Sequence, residues 1–240
     1  MPVLRFHGAV SAGSVSAFKE HNMKRTCLIA LALMAVVLVC PCIAWAHQPR
    51  IVKPNSGPVT VEQPEVSKAY YGELRGRPQL FEISSETPFV LYVNVLVPKI
   101  PDIEKNVSAA IYSGGKQVAA LNGVRFKWAV FHEPFAGDDY YKGPEFSKRV
   151  EAGTYSVKVF SPINRGKYVL AIGEKEEFPF GEAMRAFAAV VRLKSDFFGK
   201  SPLSILTSYM GASAAVVLAF VGVVYFSIRK VVRRRRKRAD

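Results

Sequence analysis

Between Leu203 and Ile228 the chain carries no charged side chain. Roughly two dozen residues at ~1.5 Å per residue are enough to cross a ~30 Å hydrocarbon layer as a helix. Arg229, Lys230, Arg233, Arg234, Arg235, Arg236, Lys237 and Arg238 follow at once. A basic cluster flanking a short tail marks the side that stays in the cytoplasm. The stretch therefore predicts one C-terminal transmembrane helix over 203–228, a basic cytoplasmic tail over 229–240, and everything before it on the far side of the membrane.

The formal charge of +14 in 240 residues divides unevenly: +3 over 1–46, +4 over 47–200 and +7 over 201–240. The basic excess is thus largely a matter of topology, suited to anionic inner-leaflet lipid rather than to nucleic acid. All three cysteines, Cys27, Cys40 and Cys42, lie in an apolar run near the N-terminus. The rest of the chain has neither disulfides nor thiolate metal ligands to draw on.

That run follows Met23-Lys24-Arg25 and closes on Ala44-Trp45-Ala46, the plan of a secretory leader with small residues at the cleavage positions. Translation is expected to start at Met23, with 1–22 an upstream extension, 23–46 a signal peptide and His47 the first mature residue. Val39 and Pro41 precede Cys40 and Cys42 where a lipoprotein signal needs a small residue. If the leader stays uncleaved, the chain crosses twice. The expected location is the cytoplasmic (inner) membrane of a bacterial-type envelope, with the bulk of the protein periplasmic.

Residues 47–78 hold Pro49, Pro54, Pro58 and Pro64 among short β-branched pieces and read as an extended arm or edge strand. Phe89 to Val97, bounded by Pro88 and Pro98, reads as the central strand. Ser113-Gly114-Gly115 joins Val107–Tyr112 to Lys116–Leu121 in a hairpin. Val124, Phe126, Trp128 and Val130 alternate with Arg125, Lys127 and Ala129 as on a half-buried strand. His132 to Phe146 is polar and aromatic and reads as one long loop. Gly153–Phe160 and Lys167–Ile172 predict a second hairpin through Ser161–Gly166. Seven or eight such strands argue for an all-β antiparallel sandwich or jelly roll over 79–178. Over 179–202, Ala183, Met184, Phe187, Val190 and Val191 recur at helical spacing against Arg185, Arg192 and Lys194, an amphipathic juxtamembrane helix. Gly211, Ala215 and Ala219 form a stripe of small residues through which the chain could pair with itself or with another envelope protein.

Chemistry-bearing residues are few. No Gly-x-Ser-x-Gly, P-loop or dinucleotide glycine pattern is present, and no catalytic residue is assigned. His47 and His132 are the histidines of the mature chain. An N-terminal histidine offers its amine and its ring to one metal, and a second imidazole completes a three-nitrogen set suited to Cu(II). Asp138, Asp139 or Glu133 could add an oxygen ligand and Tyr140 an axial one. A calcium site from Asp138, Asp139 and Glu145 is the weaker metal option.

The phrases Ala152-Gly153-Thr154-Tyr155-Ser156-Val157-Lys158-Val159 and Gly166-Lys167-Tyr168-Val169-Leu170-Ala171-Ile172 resemble the closing hairpin of bacterial pre-peptidase C-terminal (PPC-like) β-sandwich domains. Phe81-Glu82-Ile83 and Leu91-Tyr92-Val93 fit the same scheme, over roughly residues 79–173. The resemblance implies a non-catalytic accessory module. His47 at a mature terminus also resembles the start of exported CopC-like copper-binding proteins, although their downstream Asp-x-His is missing here. Pro64 to Leu74 is similar to a segment of an uncharacterised bacterial group. The expectation is a membrane-anchored, extracytoplasmic binding or scaffolding sandwich without enzymatic activity. Its alternatives are a copper-binding protein using His47 with His132, and an accessory subunit presenting Pro64–Leu74 to a membrane enzyme or transporter.

Overall fold

Residues 47–177 and 179–236 are described by a computed structural model, in which one unit holds all the strands and runs through Ala212, and a second takes the helix onward from Ser213. The expected leader at 23–46, the extension 1–22, the three cysteines, Lys237 and Arg238 lie outside the described residues.

The apolar run bounded by Pro88 and Pro98 is strand β5 (Phe89–Pro98). Its alternate residues Phe89, Leu91, Val93, Val95 and Val97 are all at most 2% exposed. It lies inside a six-stranded sheet ordered β1-β3-β11-β5-β9-β8, which faces a five-stranded sheet ordered β2-β4-β10-β6-β7. The remaining strands are β1 (Gln48–Ile51), β2 (Val59–Val61), β3 (Lys68–Arg75), β4 (Gln79–Ser85), β6 (Ser108–Ser113), β7 (Lys116–Leu121), β8 (Ala129–Glu133), β9 (Asp138–Val150), β10 (Gly153–Phe160) and β11 (Arg165–Ile172). Between the sheets Phe81, Ile83, Leu91, Ile111, Val157 and Leu170 are each fully buried. The expected β-sandwich is what the chain forms, antiparallel except where β1 joins β3 and β2 joins β4 in parallel.

Several local expectations are corrected. The segment 47–78 is no free arm: β1 and β2 close one edge of each sheet, and β3 is an interior strand buried over most of its length. Its prolines fall where no ladder donor is needed, as edge positions require. The hairpin expected from β10 and β11 is a crossing between layers, because β10 pairs with β4 and β6 while β11 pairs with β3 and β5. The sequence 122–128 is turn rather than strand, with Val124 and Phe126 exposed and Trp128 half-buried, its indole N–H donating to Gly123 O at 2.8 Å. The long loop expected over 132–146 is a hairpin in which β8 and β9 pair from Ala129↔Lys142 to Glu133↔Asp138.

Two helices follow. Helix α1 (Phe180–Asp196) is amphipathic as expected, but the face it buries is Ala186, Val190, Leu193 and Phe197 with Lys194, leaving Met184 and Phe187 exposed. A short 3-10 helix (Pro202–Thr207), capped by the Ser201 hydroxyl, precedes α2 (Tyr209–Arg236). The apolar stretch thus breaks at Ser208, and the segment able to cross a membrane is Tyr209–Lys230, 22 residues whose most apolar stretch has a mean hydropathy of 2.1.

Candidate functional site

The outer face of the six-stranded sheet is where polar chemistry gathers. Strand alternation sends Glu133 of β8 and Asp138 of β9 to the same side as directly opposed partners, a juxtaposition that repels when both are charged. Helix α1 resolves it. Lys194, fully buried, places Nζ 2.7 Å from Asp138 Oδ2 and 2.6 Å from Ala136 O, and Lys200 donates to Asp138 Oδ1 at 2.9 Å. A buried ammonium is tolerable only with such partners. Glu133 accepts from the Phe135 and Ala136 N–H groups at 2.7 and 2.9 Å, tying the turn 134–137. Burial pushes its carboxyl above the usual range against those two bonds, and Asp138 pushes the same way.

Around this pair lie two tyrosines and two phenylalanines, four rings in contact. Tyr71 of β3 and Tyr140 of β9 share a hydroxyl hydrogen bond of 2.9 Å, and Phe197 and Phe198 meet them edge to face at 5.3 and 5.5 Å. Burial drives both phenols well above their ordinary range, so both stay neutral. Helix α1 is tied by charge at its ends as well. Arg50 of β1 pairs with Glu182 in the first turn at 3.0 Å, and Lys167 of β11 donates to the carbonyls of Asp196 and Phe197 at 3.1 and 2.7 Å. Anion at the N-terminus and cation at the C-terminus is the arrangement the helix dipole favours.

His47 lies at the margin of this layer. Its Nδ1 is hydrogen-bonded to Ser67 Oγ, and burial followed by Lys142 pushes the ring down to about 4, so it is neutral near pH 7. Together with Pro49, Tyr71, Glu133, Phe135, Ala136 and Val190 it lines a cavity of about 20 Å³. That admits one water molecule and nothing larger.

Of the four residues singled out as metal ligands, the structure brings two together. His132 Nδ1 and Asp139 Oδ1 are 2.8 Å apart on the exposed side of β8 and β9, and this bond, with Lys99 and Lys200 beyond it, holds the Asp139 carboxyl below its usual range. Asp138 points to the other side of the strand and is committed to Lys194 and Lys200. His47 is bonded elsewhere, and among the described residues no three histidine, cysteine or acidic side chains gather in a way that could hold a metal ion. The calcium set fares no better: Glu145 is bound to Lys142 at 2.8 Å.

Sequence reasoning missed Lys194 and Lys200, because a lysine among arginines reads as solvated surface. The available signal was spacing: Lys194 lies four residues after Val190 and beside Leu193, on the face the helix buries. Gly211, expected in a pairing stripe, is spent inside the chain, since a Cβ there would collide with Ile205 O.

No family model and no curated protein sequence matches this chain. Among solved structures it is similar to the pre-peptidase C-terminal domain of a collagenase from Bacillus anthracis, at 8% identity over 53% of this chain and 95% of that one, with a TM-score of 0.29. A second is CorA, a surface-associated copper-binding protein of Methylomicrobium album BG8, at 8% identity over 51% and 100% of the two chains and a TM-score of 0.28. A third is a β-glucosidase from Paenibacillus barengoltzii, at 10% identity over 53% of this chain and 13% of that one, with a TM-score of 0.24. Likeness of this size carries nothing about ligand or reaction, and the fold rests on the strands themselves.

Proposed function

We propose that the chain is a membrane-tethered, non-catalytic binding or scaffolding module, with its sandwich outside the cytoplasm and its basic tail within. The observation that carries the reading is the segment Tyr209–Lys230, without a charge before Arg229 and only 6% buried in its most apolar stretch. A soluble protein would cover such a surface with its own core. Arg229, Lys230 and Arg233 stand exposed at its far end, where they would meet the anionic headgroups of the inner leaflet.

The non-catalytic part of the reading is supported by how the buried acids and phenols are used. Glu133 ties a turn, Asp138 neutralises two lysines, and Tyr71 and Tyr140 bond to each other. Among the described residues, Tyr71 and Glu133 line a cavity of about 20 Å³, room for one water and too small for a substrate. The copper alternative, with His47 and His132, has less to carry it, since among the described residues no group of three histidine, cysteine or acidic side chains gathers for a metal. Presentation of Pro64–Leu74 as a docking arm is weakened because Lys68–Leu74 lies in the interior strand β3.

Alkaline carbonate extraction tests the tether. The full chain is expected to stay with washed membranes, as a spanning helix does, and its release into the supernatant would contradict the proposal.

A further inference from the structure

A 3-10 helix has three residues per turn, so side chains three apart eclipse along one side. In Pro202–Thr207 that pair is Leu203 and Leu206, which are 71% and 63% exposed; beyond the extended Ser208, Tyr209 opens helix α2 and is 58% exposed. The opposite side is occupied: Ile205 packs with Ala136, Val190 and Met210. The element is also held by backbone. Tyr209 N donates to Pro134 O at 3.4 Å and Met210 N to Phe135 O at 3.1 Å, and Gly211 lies close enough to Ile205 O to exclude a side chain. The apolar ridge therefore projects from a fixed part of the sandwich unit.

We propose that Leu203, Leu206 and Tyr209 form a lipid-docking surface that seats the sandwich on the outer face of the bilayer, rather than holding it off on a stalk. The inference rests on the tether reading and adds the contact that sets the domain's position. What covers the ridge follows from chain length. Tyr209 is the first residue of the segment able to cross a membrane. Leu206 is three residues earlier, at most ~10 Å away along an extended chain, so it lies at the depth of the headgroups and upper acyl chains. Apolar side chains with a tyrosine beside them suit that layer, where an aromatic ring sits in hydrocarbon with its hydroxyl in water.

The test uses the full chain, with Cys27, Cys40 and Cys42 replaced by serine, reconstituted into phosphatidylcholine–phosphatidylglycerol vesicles. Leu206→Cys carries an environment-sensitive fluorophore. Val118→Cys, on the exposed edge strand β7, provides the reference. The Leu206 label is expected to shift to the blue, to lose most of its emission to lipids spin-labelled near the headgroup, and to resist aqueous iodide, while the Val118 label answers to iodide alone. If both labels answer to iodide in a chain that resists carbonate, the docking surface is overturned and the tether stands. Protection from iodide without quenching by lipid would mean a protein cover, a second copy included, and would also overturn it. A chain that carbonate removes from the vesicles takes the tether and the docking surface down together.

Discussion

The six-stranded sheet has two faces, and they are held by different physics. The inner face meets the five-stranded sheet through Phe81, Ile83, Leu91, Val93, Val157 and Leu170, apolar and without directional constraint. The outer face meets helix α1 through an aromatic group and a fully buried ion pair, with further charged contacts at both helix ends. Hydrophobic burial makes an interface stable but tolerates sliding; a buried charge must find its partner or the interface does not close. The inner face therefore makes the sandwich, and the outer one fixes where α1 and the 3-10 helix sit on it.

The sharpest way to break this contrast starts in the inner core. Phe81→Ala removes a ring with no exposed surface and is expected to lower stability by about 4 kcal/mol, read from thermal unfolding in detergent. Only refilling the lost volume should restore it. Lys194→Met is expected to cost about 3 kcal/mol by stripping Asp138 of one of its two lysines. Here recovery should come from removing the other charge: Lys194→Met with Asp138→Leu is expected to regain most of the loss, since Lys200 can turn to solvent. A double variant as weak as the sum of the singles would show that the outer face is not keyed by charge.

Acid provides a third comparison. His47 is pushed down to about 4, so between that value and its ordinary 6.5 the folded chain binds fewer protons than the unfolded one. Stability at this site is present above pH 6.5 and is lost as pH falls toward 4, by on the order of 3 kcal/mol for a shift of this size. Glu133 works in the opposite sense, because its carboxyl is raised and its protonation relieves burial. The His47→Gln variant separates the two: its stability should fall less steeply than that of the natural chain below pH 6.5, and parallel curves would contradict the assignment. The smallest effect is expected from Tyr71→Phe, about 1 kcal/mol for the hydrogen bond it shares with Tyr140, with α1 remaining docked.

The inner face was legible where β-branched and aromatic residues crowd between prolines, whereas the period-2 alternation of Val124 to Val130 misled, because 122–128 is turn and its apolar side chains Val124 and Phe126 are exposed. Phe89 to Val97 and the glycine turn at Gly114-Gly115 announced their roles without help. The outer face was not legible, for reasons visible in particular residues. Lys194 carries the same charge as Arg192 beside it; its spacing from Val190 places it on the buried face, but the partner that makes burial tolerable, Asp138, lies far off in sequence. Asp138 and Asp139 look like a ligand pair when written side by side, yet strand alternation sends them to opposite sides. The β10–β11 connection looked like a hairpin because its turn residues, Asn164 and Gly166, serve a corner between layers equally well.

The placement of the sandwich outside the cytoplasm is the claim on which the proposed role depends most, and protease access to intact spheroplasts tests it directly. The expected result is digestion of the sandwich from outside, leaving a membrane-protected fragment that contains Tyr209–Arg236 and the basic tail. A sandwich that survives in intact spheroplasts and is cut only after they are permeabilised would contradict the account.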